Sequence, residues 1–352
     1  WSAGGASPAI TYTVKVVSDS GNKYRFDDFG TSAVTLDLQE GGTYTFDQSD
    51  SSNSGHPLRF STTSNGTHGG GSEYTTGVTT TGTPGSSGAK TVITVAASAP
   101  TLYYYCTQHS GMGGQANTNS TFGSSNFSGN IQSTVSANTT AGFSIVTWTA
   151  DNSNNNQIGH SLNTTPKLVI WYNRSNGGTI AVGSPDILGS NSYLNLNSTA
   201  AKVAAGSAYE PLMDSDSITN FGYGTSPNMV AYCFAEKKGY SKFGSYTGNQ
   251  NTDGQFVYTG FRPAWVMVKR TDSTSDWLVC DNKRDTDNPL FKKYFPNQNQ
   301  AEDSYESFDF LANGFKITSA GTGHNASGAT MLYMAVAESP FVNSNGVPNN
   351  AR

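Results

Sequence analysis

Four side chains that bind soft metal ions are grouped in the first third of the sequence. Cys106, His109 and Met112 follow one another at three-residue steps in one segment, and His56 lies in a separate segment. Two imidazoles and a thiolate in a trigonal arrangement, with a weak axial thioether, form a type 1 copper site. Since the chain contains only 3 cysteines and 5 histidines, composition does not account for the grouping. The sequence therefore predicts a copper site formed by His56, Cys106, His109 and Met112.

The segments around these residues alternate apolar and polar positions, which is typical of half-buried β-strands. Cys106 directly follows one predicted strand, and His56 precedes another. Gly111, Gly113 and Gly114 permit sharp turns around an ion. We predict sandwich strands at 10–16, 24–26, 34–38, 43–46, 58–60, 91–95 and 101–105. Residues 61–90 form a long polar insert, and such a loop in a compact domain is usually functional or packed against a neighbour.

The composition indicates an all-β protein. Charged residues make up 13% of the chain, about half the usual share, while Gly, Ser, Thr and Asn are abundant. The net charge of −5 and the lack of a basic stripe argue against a nucleic-acid partner. No apolar run is long enough to span a membrane. Three scattered cysteines give no disulfide framework, and Cys233 and Cys280 lie in apolar runs, so we expect buried strand thiols.

The chain divides into three segments. Residues 1–114 form the first domain. Residues 115–141 are rich in Asn, Ser, Thr and Gly, with few apolar anchors, and are predicted to be a linker. Residues 142–352 contain an internal repeat, at about 142–238 and 239–341, because 142–144 and 166–170 recur 97 positions later at 239–241 and 263–267. Two copies that face each other as a β-sandwich are the simplest arrangement.

The first domain resembles the cupredoxin family. The Cys-x-x-His-x-x-Met loop is similar to that of amicyanin-type proteins, and residues 55–60 are similar to the upstream ligand strand. The resemblance covers about 9–114 and implies a Greek-key β-sandwich with His56, Cys106, His109 and Met112 as ligands. Pro57 stands where many cupredoxins have an Asn whose backbone N–H donates to the thiolate. Because proline has no N–H, we expect a lower reduction potential than in those relatives.

The remainder resembles a duplicated β-rich domain found near the C-termini of structural proteins of marine tailed phages. The shared pattern stands at 141–147, 230–236, 239–248, 259–264 and 337–341. The first domain, with residues 46–50 and 109–113, also resembles a module that such phage proteins carry. Together the resemblances cover nearly the whole chain, and they imply a location on the virion more firmly than an activity.

The leading hypothesis is therefore a non-enzymatic structural protein on the virion surface, either a fibre or a decoration protein, used in attachment or particle stabilisation. Its expected partners are other virion proteins, copies of itself (a trimer being common for fibres) and a host surface glycan or receptor. One alternative is a secreted or periplasmic blue-copper protein that transfers electrons and docks through its C-terminal half. A second alternative is a cupredoxin-shaped sandwich that keeps the loop residues but does not use copper. A third alternative is a glycan-active enzyme.

Other candidate residues are given structural roles. Trp171, Tyr172, Trp265 and Trp277 have the chemistry to stack on sugars, but their place in strands favours core packing. His68, in the Gly-rich insert, is predicted to be a solvated loop residue. No role is assigned to the histidines and carboxylates that stand in turns, namely His160, His324, Asp281, Asp285, Asp287 and Asp303.

Overall fold

The N-terminal part is built from nine strands in two sheets. The computed structural model describes residues 7–118, 122–151, 156–204, 212–220 and 227–338. The strands are β1 (Ala9–Ser18), β2 (Asn22–Phe26), β3 (Leu36–Asp37), β4 (Thr43–Asp47), β5 (Leu58–Ser61), β6 (Val78–Thr81), β7 (Lys90–Thr94), β8 (Leu102–Cys106) and β9 (Gly114–Asn117). One sheet has the order β2-β1-β4-β7-β6 and the other β3-β9-β8-β5. The pairs β1–β4 and β3–β9 are parallel, and the remaining pairs are antiparallel.

The two sheets enclose a core rich in aromatic side chains. Alternate residues point inward, so that Tyr12 and Phe46 of one sheet meet Phe60 and Tyr104 of the other within one buried cluster. The rings of Phe46 and Phe60 lie edge to face with centroids 5.4 Å apart. Burial of such large rings is the main source of stability in a sandwich of this size. The prediction of a β-sandwich for this part of the chain is confirmed.

The prediction of a linker at 115–141 is wrong. Gln115 lies in β9, and the same stretch contributes β10 (Ser124–Asn126) and β11 (Ser133–Asn138) to the largest sheet. Polar groups of this segment join the two halves of the molecule. The Tyr44 hydroxyl lies 2.6 Å from Ser124 Oγ, and the Tyr12 hydroxyl donates to the Ser125 backbone carbonyl at 2.7 Å. The segment has few apolar residues because its hydroxyl and backbone groups form hydrogen bonds with neighbouring strands.

The first repeat forms a large sheet and a small one. Its elements are β12 (Phe143–Thr149), β13 (Asn156–Gly159), β14 (Leu168–Asn173), β15 (Ile180–Gly183), α1 (Pro185–Leu188), β16 (Ser192–Asn195), β17 (Val203–Ala204), β18 (Ser217–Asn220) and β19 (Asn228–Phe234). The large sheet has the order β10-β11-β12-β19-β14-β15-β16-β17, and β13 pairs with β18.

The second repeat has two four-stranded sheets. Its elements are β20 (Ser241–Thr247), β21 (Phe256–Tyr258), β22 (Pro263–Arg270), β23 (Trp277–Asp281), β24 (Leu290–Lys293), β25 (Asp303–Leu311), β26 (Gly314–Ile317), α2 (Thr322–Asn325) and β27 (Thr330–Ala337). The sheet orders are β20-β27-β22-β23 and β21-β26-β25-β24. Neither helix in the described part of the chain is long and apolar enough to cross a membrane.

The strand orders agree with an internal duplication. The series β12-β19-β14-β15 of the first repeat corresponds to β20-β27-β22-β23 of the second, and β13–β18 corresponds to β21–β26. The two main sheets pack against each other through one mixed core cluster. In β27, Leu332 and Met334 face the other repeat, whereas Met331 and Tyr333 face the second sheet of their own repeat. Because both faces of β27 are covered, its sequence is a continuous apolar run.

The aromatic residues considered for sugar stacking are mostly core residues. Trp277 is fully buried and Trp171 is nearly so, and Trp265 packs against the cluster between the repeats. Tyr172 is half-buried. Cys233 and Cys280 are buried strand thiols, as expected, and burial raises the pKa of each thiol to about 12.

Candidate metal centre

The candidate site lies where β8 ends at one edge of the N-terminal sandwich. Cys106 is the last residue of β8, is fully buried and pairs with Leu58 of β5. The chain then turns and returns as β9. Gly113 makes this return possible, since a Cβ atom there would lie 1.7 Å from the Tyr104 carbonyl oxygen. The thiol is thus held by the sheet itself.

The structure brings three of the four predicted ligands together. Cys106 Sγ lies 3.9 Å from His56 Nδ1 and 3.7 Å from His109 Nδ1. One ligand atom from each residue lies within 4.8 Å of the others. Bonds of about 2.3 Å to sulfur and 2.0 Å to nitrogen, at the angle of a trigonal site, would separate sulfur from nitrogen by about 3.7 Å. The donor set and its spacing therefore fit a single soft metal ion.

Met112 lies in the same core cluster as Cys106 and is buried. Its carbonyl oxygen accepts a hydrogen bond from the Tyr24 N–H at 3.0 Å. This bond joins the end of the loop to β2, so Met112 is held from the opposite sheet. Its thioether has the chemistry of a weak axial ligand.

His56 is positioned through its own backbone. The buried Gln48 side chain donates to the His56 carbonyl at 2.8 Å and accepts from the Leu58 N–H at 3.1 Å. The Tyr24 hydroxyl also donates to the His56 carbonyl, at 2.9 Å. Partial burial and the nearby charge of His109 lower the pKa of His56. Both effects favour the neutral imidazole, which is the form that binds a metal.

The two ligand segments are joined at their bases. The Thr107 N–H donates to the Pro57 carbonyl at 3.1 Å, which links the residue after the cysteine to the residue after the histidine. Pro57 itself offers no N–H to the thiol. Lys23 donates through its ammonium to the Gly111 carbonyl on the outer side of the loop. The loop is therefore attached to both sheets.

The three grouped ligands differ in their access to solvent. Cys106 is buried, His56 is half-buried and His109 is exposed. A bound ion would accordingly be shielded on its thiolate side and reached from outside through the His109 ring. Within the described residues, this is the one group of three or more His, Cys, Asp or Glu side chains close enough to share an ion.

The remaining candidates lie elsewhere. His68 is exposed, but its Nε2 atom lies 3.0 Å from the Cys106 carbonyl oxygen, so it is not simply a solvated loop residue. His160 is fully buried, and its two ring nitrogens contact the backbone at Asp214 and Leu162. Asp285 accepts hydrogen bonds from the Phe291 and Lys292 N–H groups of β24, so its carboxylate has a structural role.

Sequence reasoning missed the residues that support the site. Gln48 and Asn65 make the hydrogen bonds that fix the ligand segments, yet neither has metal-binding chemistry. The sequence offers one signal for each residue. Gln48 is an amide that follows the end of an aromatic strand, and Asn65 stands before Gly66 in a turn. Neither signal identifies a partner in the fold.

Fold and site together define an all-β protein of packed sandwiches, with a His-Cys-His group at one edge of the first. Residues 115–340 match the family described as a domain of unknown function, DUF7483, and the chain belongs to this family. No curated protein and no solved structure matches the chain. The family match begins within β9, a strand of the N-terminal sandwich, so the two parts share a structural element.

Proposed function

We propose that the protein is a structural protein of a tailed-phage virion surface, and that its N-terminal sandwich binds one copper ion. The ligands are His56, Cys106, His109 and Met112. The observation that carries the metal proposal is the convergence of one thiol and two imidazole nitrogens, from two separate loops, within 4.8 Å. Three such side chains that had only structural roles would not be expected to surround a space the size of one ion.

Copper is the metal that suits this donor set best. Thiolate and thioether ligands select soft ions, and a trigonal His₂Cys set with a distant methionine is the arrangement of blue-copper centres. The Cys106 thiol is buried and the His109 imidazole is exposed, which fits a metal site that excludes water on its sulfur side. Copper would supply one-electron chemistry there, while the chain supplies the position and the low polarity around the sulfur.

The metal proposal is tested by adding Cu(II) to the metal-free protein. We expect an intense blue absorption at one equivalent, which the Cys106→Ser variant should lose. Cys233→Ala serves as the matched control, because burial keeps that thiol protonated at neutral pH. A colourless protein that takes up no copper, or one that binds Zn(II) in preference at equal concentration, would contradict the proposal.

The virion location is supported by the chain's chemistry and its resemblance to phage structural proteins. The described residues form closely packed β-layers, and only 13% of the chain is charged, which suits a displayed particle component. Immunogold labelling of intact particles should place the protein on the virion exterior. Label confined to host cells would refute the location without affecting the copper proposal.

One observation favours a second function, electron transfer by a secreted or periplasmic copper protein. His109 is both a candidate ligand and exposed to solvent, so it offers a short path from an ion to a redox partner. Rapid electron exchange with a soluble inorganic oxidant, lost on blocking the surface around His109, would support this function. Immunogold labelling of the particles then decides whether the protein is a virion component or a secreted or periplasmic electron-transfer protein.

A further inference from the structure

The start of the polar insert forms a tight turn beside the candidate metal loop. A 3₁₀ turn spans Gly66–Gly69, and its ends are closed by backbone bonds from Gly66 N–H to Thr63 O and from Gly71 N–H to Gly66 O. Asn65, at the head of the turn, has a φ of +62°. Asparagine is one of the few residues that adopt this left-handed conformation readily. The turn is thus locally determined.

The turn is seated directly on β8. A Cβ atom on Gly66 would lie 2.4 Å from the ring of Tyr105, the residue before the candidate ligand. Only glycine permits the backbone to lie this close to the ring. The contact fixes the turn relative to the strand that ends in Cys106, so that its side chains have a defined place beside the ligand loop.

Two side chains of this turn reach the ligand loop at opposite ends. The Asn65 amide donates to Ser110 Oγ at 2.7 Å and accepts from the Gly111 N–H at 2.8 Å. These two residues lie between His109 and Met112. At the other end, His68 Nε2 lies 3.0 Å from the Cys106 carbonyl oxygen and donates to it in the tautomer protonated there.

We propose that Asn65 and His68 are positioning residues that hold the Cys106–Met112 loop in its metal-binding shape before an ion arrives. This inference rests on the proposed copper site and deepens it. The loop contains Gly111 and carries the exposed His109, so without these contacts its backbone between the other attachments would sample more conformations. Holding it in place removes that entropy cost from metal binding, which is the general effect of preorganisation.

The contacts act locally and do not support the core. Ser110 is exposed and Asn65 is half-buried, and their hydrogen bond lies in contact with solvent, where such bonds add little to global stability. The long insert therefore gains a function: its first turn forms part of the wall around the metal loop. This accounts for a segment whose polar composition offers no core of its own.

The decisive variant is Asn65→Gly, because glycine keeps the left-handed backbone and removes only the side-chain contacts. In the metal-free protein we expect the Gly111 amide to exchange its hydrogen at least tenfold faster. Copper affinity should fall by about 10- to 100-fold, the usual cost of removing a group that orients a ligand. Isotope-resolved hydrogen exchange and a competitive copper titration measure the two effects.

Three variants make the test specific. Asn163→Gly is the matched control, since Asn163 also has a left-handed backbone, with a φ of +55°, and is exposed away from the site; it should change neither quantity. Asn65→Asp keeps an acceptor for the Gly111 N–H and should restore slow exchange in part. His68→Gln retains a donor for the Cys106 carbonyl and should bind copper more tightly than His68→Ala.

The outcomes separate this inference from the proposed function. A wild-type protein that forms no copper complex refutes the proposed function, whatever the Gly111 amide does. A wild-type copper complex whose affinity is unchanged in Asn65→Gly refutes the positioning role alone. Faster exchange together with weaker copper binding, both absent in Asn163→Gly, supports the positioning role.

Discussion

Pro57 removes a hydrogen-bond donor from the strand that faces Cys106. Leu58 pairs with Cys106 across β5 and β8, so the preceding residue lies beside the thiol end of the site. An N–H at this position would withdraw charge from a copper-bound thiolate and stabilise Cu(I). We expect Pro57→Ala to raise the reduction potential of the copper-loaded protein in a redox titration. Pro100→Ala, at an exposed position of the same sandwich, is the control, and an equal shift there would contradict this explanation.

His324 is a second residue whose chemistry follows from its surroundings. It is 5% exposed, and its Nε2 atom has no hydrogen-bond partner among the residues that the structure describes. Burial, with the nearby charge of Lys293, lowers its pKa to about 4, whereas a histidine in the unfolded chain titrates near 6.5. The folded state therefore binds fewer protons between these values, so its stability is complete above pH 6.5 and falls as the pH drops towards 4.

We accordingly expect His324→Gln to flatten the acid limb of the stability curve. The free energy of unfolding of the wild-type protein should fall by about 3 kcal/mol more than that of the variant between pH 6.5 and 4. Urea unfolding at a series of pH values measures the difference. His68→Gln, at an exposed position, should leave the wild-type slope unchanged. Parallel slopes for wild type and His324→Gln would show that another group governs acid unfolding.

At the scale of elements, the return from β8 to β9 depends on Gly113. A side chain there would meet the Tyr104 carbonyl at 1.7 Å, which the backbone of a strand cannot relieve by a rotamer change. Gly113→Ala should lower the free energy of unfolding by about 3–5 kcal/mol, in the range of severe single substitutions, and displace the candidate metal ligands. Gly30→Ala is the control, since in the described part of the chain no atom beyond its own chain neighbours lies within 4 Å of a Cβ at that position.

The strands around the site could be predicted because their apolar and polar residues alternate. The predicted strand at 43–46 appears as Thr43–Asp47, and that at 101–105 as Leu102–Cys106. In contrast, Val78–Thr81 was hidden in the polar insert because three of its four residues are threonines that lie exposed on an edge strand. Ser124–Asn126 was missed for a related reason: it pairs with β11 through its backbone, and its serine hydroxyls, and not apolar side chains, contact Tyr44 and Asp37 of the N-terminal sandwich.

The site shows a similar division. The grouping of His56, Cys106 and His109 was predictable since their types and spacing already describe one donor set. The supporting contacts were not, because Asn65 acquires its partners only when distant segments meet, and Gln48 meets residues 56 and 58 only once the turn between them has formed. A hydrogen bond between residues 45 positions apart, such as Asn65 to Ser110, leaves no local pattern in a single sequence.

At the scale of the whole molecule, the sandwich with the candidate metal site and the duplicated region form one connected structure. The two repeats share a core between their main sheets, and β10 and β11 extend the sheet of the first repeat towards the N-terminal sandwich. Gln132 and Thr134 bind the backbone of Thr35 and the carboxylate of Asp37, respectively. Such continuity suits the proposed role of a displayed structural protein, because load on one part would be carried by the next.

Phe127 is the apolar element of this connection. It follows β10 and is 5% exposed, and its ring lies 5.5 Å from that of Tyr12 and 5.4 Å from that of Phe29, inside the N-terminal core. Its removal should therefore affect both parts at once. We expect Phe127→Ala to lower the free energy of unfolding by about 3–5 kcal/mol, the usual cost of a buried Phe-to-Ala change.

Calorimetry and hydrogen exchange test whether this loss is shared. Exchange should quicken in β1 and β2 of the N-terminal sandwich and in β10 and β11 of the first repeat together, because the Phe127 ring packs against Tyr12 of β1 and Phe26 of β2 and its backbone follows β10. Phe122→Ala, at a position 46% exposed, should change the unfolding free energy by less than about 0.5 kcal/mol. Faster exchange confined to the N-terminal strands would instead show that the two parts unfold independently.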